Sequence, residues 1–263
     1  MQPIILSAGT KVVNLNGILR VAMPKAMLTA YAERILATES ADLLAYWPLW
    51  EASGSVADNL EGTAARDGAY TGVTLGEPGI GDGATCPWWD GANDYLDVYS
   101  VSLSDNFDGN EGTVLWWMKV SDAGVWSDGV TRKLWLLSCG ADTNDDWALC
   151  QKITAAGTLR FYYSPGTGSN LIEKTGMSDT GWIPCAMTWT HAGSDLYKAY
   201  MYGEALPTTH SGLNNWTQSL VDGRCVIGAR LPTPDQVWDG WLAHFAIWSK
   251  ALSDAQIVAL STV

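Results

Sequence analysis

The chain is short of basic residues: 15 Lys and Arg stand against 28 Asp and Glu, giving a net charge of −13 and a pI near 4.4. A phosphate backbone is bound by neutralising it with Lys and Arg, so this balance excludes nucleic acid as the expected partner. Long apolar runs are missing as well. No stretch reaches about 18 residues, and segment 1–20 has no cluster of positive charge ahead of an apolar block, so neither a membrane span nor a signal peptide is expected. The five cysteines, Cys86, Cys139, Cys150, Cys185 and Cys225, are odd in number and form no CxxC spacing, which argues against a zinc site and a disulfide framework. Buried thiols are expected, with Cys139 and Cys150, on either side of a hairpin loop, the one pair that could face each other. There is no low-complexity tract and no internal repeat with a period of about 20–50 residues.

What is abundant points the other way. Gly at 27 and Trp at 15, in a chain only 16% charged, describe many tight turns between strands and a large aromatic inventory. The 263 residues suit one large all-β sandwich with an appendage. Residues 1–40 read as that appendage, an extended arm with glycines at Gly9 and Gly17, followed by an amphipathic helix. Pro24 suits a first helical turn, and Met27, Leu28, Tyr31, Ile35 and Leu36 fall on one stripe opposite Lys25, Thr29, Glu33 and Arg34. That stripe is expected to dock on neighbouring chains of the same or another protein, the alternative being the back of the chain's own sandwich.

From residue 41 onward the pattern changes to short aromatic and β-branched runs broken by Gly, Asp, Asn and Pro. Strands are expected at 43–49, 95–98, 113–120, 134–139, 147–153, 159–163, 183–189, 197–202, 224–227 and 241–248. In the last of these, Ala243, Phe245 and Ile247 alternate with Leu242, His244, Ala246 and Trp248, which places His244 on an outward face. A short helix over 253–260, opened by Ser253, should fold back onto the sandwich.

Six stretches in order resemble a known family. Leu44-Ala45-Tyr46-Trp47-Pro48-Leu49 is similar to its opening strand, and Asp90-Gly91-Ala92-Asn93-Asp94-Tyr95-Leu96-Asp97-Val98 to its following hairpin. Thr113-Val114-Leu115-Trp116-Trp117-Met118-Lys119, Trp182-Ile183-Pro184-Cys185-Ala186-Met187-Thr188-Trp189 and Tyr200-Met201-Tyr202-Gly203 continue the series, and 239–257 closes it. The chain thus resembles the laminin-G or concanavalin A-like lectin and glucanase sandwiches over 43–260. The resemblance implies an all-β, two-sheet antiparallel jelly roll spanning 41–263. A short arm before such a sandwich is similar to bacteriophage structural components, which implies a virion surface or other extracellular-facing assembly.

Chemistry-bearing patterns are few. A glycosidase needs two carboxylates about 5–10 Å apart, usually from alternate strand positions. The glutamates are instead scattered near turns, no Gly-x-Ser-x-Gly occurs, and His191, His210 and His244 are isolated, so no catalytic residue is expected. No cofactor is required, although Asp58, Asn93 and Asp94 could supply oxygens to Ca²⁺, with the loop 142–146 a denser acidic alternative. The family often carries an acidic residue where Ala243 stands, which weakens the metal reading. For glycans the useful groups are exposed aromatics, and Trp88, Trp126 and Trp216 fall in Gly-, Asp- and Asn-rich loop sequence, whereas Trp47, Trp116, Trp189 and Trp248 read as core. The expected role is a lectin-like structural or binding protein, with a free glycan-binding module or an unrecognised hydrolase or lyase as alternatives.

Overall fold

In the computed structural model, residues 12–15, 18–21, 28–140, 145–166, 168–191 and 195–263 are described. The strands are β1 (Val12–Leu15), β2 (Ile18–Val21), β3 (Leu43–Trp47), β4 (Val56–Ala57), β5 (Gly68–Thr71), β6 (Thr74–Pro78) and β7 (Thr85–Asp90). They continue with β8 (Tyr95–Asp97), β9 (Glu111–Val120), β10 (Arg132–Ser138), β11 (Trp147–Lys152), β12 (Leu159–Ser164) and β13 (Asn170–Lys174). The last six are β14 (Ile183–Thr190), β15 (Leu196–Met201), β16 (Glu204–Ala205), β17 (His210–Ser211), β18 (Cys225–Ile227) and β19 (Asp239–Trp248). Three helices, α1 (Ala30–Ala37), α2 (Val101–Asn106) and α3 (Asp254–Leu260), accompany them.

β1 and β2 pair with each other, and the remaining strands form two antiparallel sheets. The smaller, of eight strands, runs β13-β12-β11-β10-β18-β8-β5-β4. The larger, of nine, runs β16-β15-β14-β9-β19-β7-β6, with β17 on β15 and β3 on β19. Alternation drives the layering. In β12, Leu159, Phe161 and Tyr163 are buried while Arg160 and Tyr162 are half-buried on the other face. The inner faces meet over a core containing Trp47, Trp89, Trp116, Trp135, Trp189 and Phe245. Trp116 and Trp135 cross edge to face at 5.3 Å between centroids, a favoured aromatic geometry.

A second apolar layer covers the outer face of the larger sheet. Tyr31, Ala32 and Ile35 of α1 and Ile257 and Leu260 of α3 pack on Tyr46, Leu115, Trp117, Ala243, Ala246 and Trp248. Thr29 caps α1 by accepting from the Ala32 N–H, and Ser253 with Gln256 forms a capping box on α3. The Tyr31 hydroxyl donates to the Leu260 carbonyl at 2.7 Å and accepts from the Trp117 indole at 2.6 Å. The Trp248 indole donates to the Thr38 carbonyl at 2.9 Å. The stripe expected to meet other chains is therefore occupied in cis at Tyr31 and Ile35, because this sheet face is apolar and α1 and α3 pack on it. Leu28 and Leu36 are half-buried beside a hollow of about 400 Å³, and Met27 lies outside the described residues.

Under α1 the strict alternation expected for 241–248 breaks. A bulge between Ala243 and Ala246 sends Leu242 and Phe245 inward, leaves Ala243 and Ala246 outward, and holds His244 at φ 51°. His244 stands on the outward face, as expected, but is buried there beneath α1. Its Nε2 lies 3.2 Å from the Asp82 carboxylate and its Nδ1 2.7 Å from the Tyr46 hydroxyl. A carboxylate only accepts, so Nε2 carries the proton toward Asp82 and Tyr46 donates to Nδ1. Burial depresses the His244 pKa, while Asp82, desolvated but bonded to His244, is held at about 2.

Candidate functional site

The outer face of the smaller sheet has a different character. Across β10, β11, β12 and β13 the register sets Leu136, Leu149, Tyr162 and Leu171 in one row. The adjacent row is Lys133, Gln151, Arg160 and Glu173. On the other side of Leu149, Trp147 stands between Ser138 and Ser164. Trp147 and Tyr162 are diagonal neighbours on this face, with ring centroids 5.2 Å apart, and both rings are half-buried. Arg160 is bonded to Glu173 through Nε and donates from Nη1 to the Tyr162 hydroxyl at 3.3 Å. Lys133, only 7% exposed, donates to the side-chain oxygen of Gln151. Desolvation, reinforced by the nearby Arg230, pulls its pKa down to about 8. An aromatic pair flanked by a charged fork, an amide and an ammonium can stack on a sugar ring and bond its hydroxyls.

The residues nominated from sequence are placed elsewhere. Trp126 and Trp216, expected to be exposed on loops, are 3% exposed, because their segments fold over the core at the two ends of β12. Trp126 donates to the Asp179 carbonyl and walls a hollow of about 310 Å³ with Met177. Trp216 stacks on Tyr163 and meets Phe107 edge to face. A Cβ at Gly109, where φ is 79°, would come within 2.2 Å of the Trp216 ring, so glycine is required there. Trp88 is half-buried on the outer face of the larger sheet, in register with Trp241, while its neighbour Trp89 points into the core.

The three residues nominated for calcium do not converge. Ala57 pairs with Gly68 and Thr71 with Tyr95, so Asp58, level with Asp67, and Asp94, level with Gly72, flank opposite ends of β5, about five residues apart at about 3.3 Å per residue. Asp94 accepts from the Asp90 N–H, and Asn93 is exposed beside it. Among the described residues no group of three or more His, Cys, Asp or Glu side chains is placed to hold a metal ion. In the acidic loop, Asp146 is buried with its carboxylate accepting from the backbone N–H groups of Gly166, Thr217 and Gln218, while 141–144 lie outside the described residues. All five cysteines are free and buried. Cys139 stands level with Asp146 and Cys150 level with Trp135, which keeps the two apart along the ladder.

Residues 80–258 match the profile of the Concanavalin A-like lectin/glucanases superfamily, in its laminin-G branch. The chain belongs to this family. No curated protein sequence matches it. Among solved structures, a Trypanosoma rangeli sialidase complex superposes with a TM-score of 0.61 at 12% identity, covering 84% of this chain and 32% of that one. The receptor binding domain of botulinum neurotoxin mosaic serotype C/D gives 0.60 at 14% identity, over 84% and 51%. Domain 4 of AbnA, a GH43 extracellular arabinanase from Geobacillus stearothermophilus solved in complex with arabinotriose, gives 0.55 at 14% identity, over 84% and 98%. The lectin-like chain thus spans about a third of the sialidase and half of the neurotoxin chain, and at these identities the likeness establishes the fold alone.

Proposed function

We propose that this concanavalin A-like chain is a non-catalytic glycan-binding protein whose sugar site is the outer face of β10–β13. The observation that carries the reading is the Trp147–Tyr162 ring pair beside the Arg160–Glu173 fork, on a sheet face against which neither α1 nor α3 packs. The arabinotriose complex of the arabinanase domain supports it by analogy of fold. Absence of catalysis is supported by how the face's carboxylates are held. Glu173 is ion-paired with Arg160, and Asp235, in the loop before β19, with Arg230, so both serve as counter-ions to guanidinium groups. Glu51, whose pKa burial raises, uses both oxygens to brace Asp58 and Tyr70.

Display on a larger extracellular-facing assembly, such as a bacteriophage particle, is the wider role we propose from the sequence resemblance. Its attachment would use surfaces other than Tyr31 and Ile35, which the sandwich itself covers. The binding reading is tested by titrating an oligosaccharide panel with intrinsic tryptophan fluorescence. Trp147→Ala and Tyr162→Ala should each weaken binding at least about tenfold, the scale of about 1.4 kcal/mol for a lost stacking surface. Release of reducing sugar from the same panel, or binding indifferent to both substitutions, would defeat it.

A further inference from the structure

The cations of this chain are outnumbered by acids, and the buried ones are held by carboxylates. Arg66 has Glu61, Arg132 has Asp128 and Asp239, and Lys152 has Asp128. Lys133 is as deeply buried, yet the described residues offer it no carboxylate within ion-pair distance. Desolvating an ammonium without a counter-charge is costly, and a chain with 28 Asp and Glu had ample means to avoid it. Of its three N–H donors, one goes to Gln151, whose neighbour across the ladder is Arg160, two residues from Tyr162 on the same face. Arg230 lies near enough to disfavour its charge, while Asp235 is engaged by Arg230. The neighbourhood of Lys133 therefore holds three cations against two paired carboxylates, a local excess of positive charge on an acidic protein.

We propose that the sugar taken by this face is acidic, a carboxylate-bearing glycan such as a uronate oligomer, with its carboxylate on Lys133 and its ring on Tyr162 and Trp147. This assignment rests on the glycan reading of the same face. An anion there supplies the missing counter-charge, and Gln151 holds the ammonium in place for it. A neutral sugar supplies no such charge.

The test titrates the full chain with a tetragalacturonate and with its methyl ester, which keeps the sugar rings and hydroxyls but removes the charge. The acid should bind at least about tenfold more tightly, as a desolvated charge pair does relative to a neutral hydrogen bond. Lys133→Met should abolish that preference, Lys133→Arg should retain much of it, and melting temperatures should show both variants folded. Because Lys133 loses its proton near pH 8, affinity for the acid should begin to fall there in the parent chain and stay flat in Lys133→Met. Equal affinity for acid and ester, or an unchanged Lys133→Met, overturns the assignment while the face stands as a neutral-sugar site. If Trp147→Ala also leaves every affinity unchanged, the glycan reading of the face falls with it.

Discussion

The two outer faces of the sandwich solve the same geometric problem differently. Each sheet has one face committed to the shared core and a second that must be either covered or made compatible with water. On the larger sheet the second face is built from Leu115, Trp117, Ala243, Ala246 and Trp248, and α1 and α3 close over it. On the smaller sheet it carries Lys133, Gln151, Arg160, Tyr162 and Glu173, and its polar groups bond to one another. The first face is a second core, while the second sets buried polar groups, Lys133 and Gln151, beside the half-buried Trp147, Arg160 and Tyr162. The difference shows that burial alone does not mark a functional side chain. Trp126 and Trp216 are buried because loops need a floor, whereas Lys133 is buried with its polar atom directed at a partner that is only an amide.

The contrast breaks most visibly if equal truncations on the two faces cost the same. Ile35→Ala opens a cavity between α1 and the larger sheet and should lower unfolding free energy by about 2–5 kcal/mol, against less than about 1 kcal/mol for Trp147→Ala on the other face. Chemical denaturation of both variants decides it, and similar losses would mean the smaller sheet's face is also core. A smaller effect concerns the polar cluster beneath α1. The Asp82 carboxyl is held at about 2 in the fold, below its ordinary 3.8, so its contribution is complete above about pH 4 and is lost between about pH 4 and 2. His244 is depressed, so it adds stability above its ordinary 6.5 that begins to disappear as pH falls below that value. Asp82→Asn should therefore cost roughly 2 kcal/mol at pH 7 and flatten the acid limb of the stability curve. A parallel, merely lowered curve would show that His244 and Asp82 are not linked. The least effect is expected at the exposed fork, where Glu173→Gln should change stability by less than about 1 kcal/mol. A larger loss at high salt would reveal that the pair braces the sheet.

The fold was legible because long strands carry periodic signals. The stretches 113–120, 183–189 and 241–248 all lie in strands, and the closing helix begins at its capping Ser253 as read. Short edge strands such as β6, Thr74–Pro78, escaped notice since Gly76 and Pro78 read as loop. The bulge at 243–246 could not be read at all, because it swaps the facings of Leu242 and Ala243 while those of Phe245 to Trp248 stay as alternation assigns them. His244 lies on the outward face as read, and what the sequence did not show is that α1 covers it. The candidate site was missed for a related reason. Arg160 and Tyr162 alternate visibly with Leu159 and Phe161, but Lys133, Gln151 and Glu173 become their neighbours only through the order of β10–β13. Loop tryptophans looked accessible because composition marks a loop without saying whether it folds back across the core.

The contacts that close the helical layer also set a polarity on the whole molecule. α1 and α3 lie side by side, with Tyr31 bonded to the Leu260 carbonyl and Arg34 to the Thr262 carbonyl at 2.6 Å. The polypeptide therefore enters and leaves the sandwich at one pole, on the far side of the larger sheet from β10–β13. A bead or particle tethered after α3 is therefore attached behind the sandwich. The Lys133 and Trp147 face then looks outward from the tether, an orientation that leaves an immobilised chain free to meet a ligand in solution.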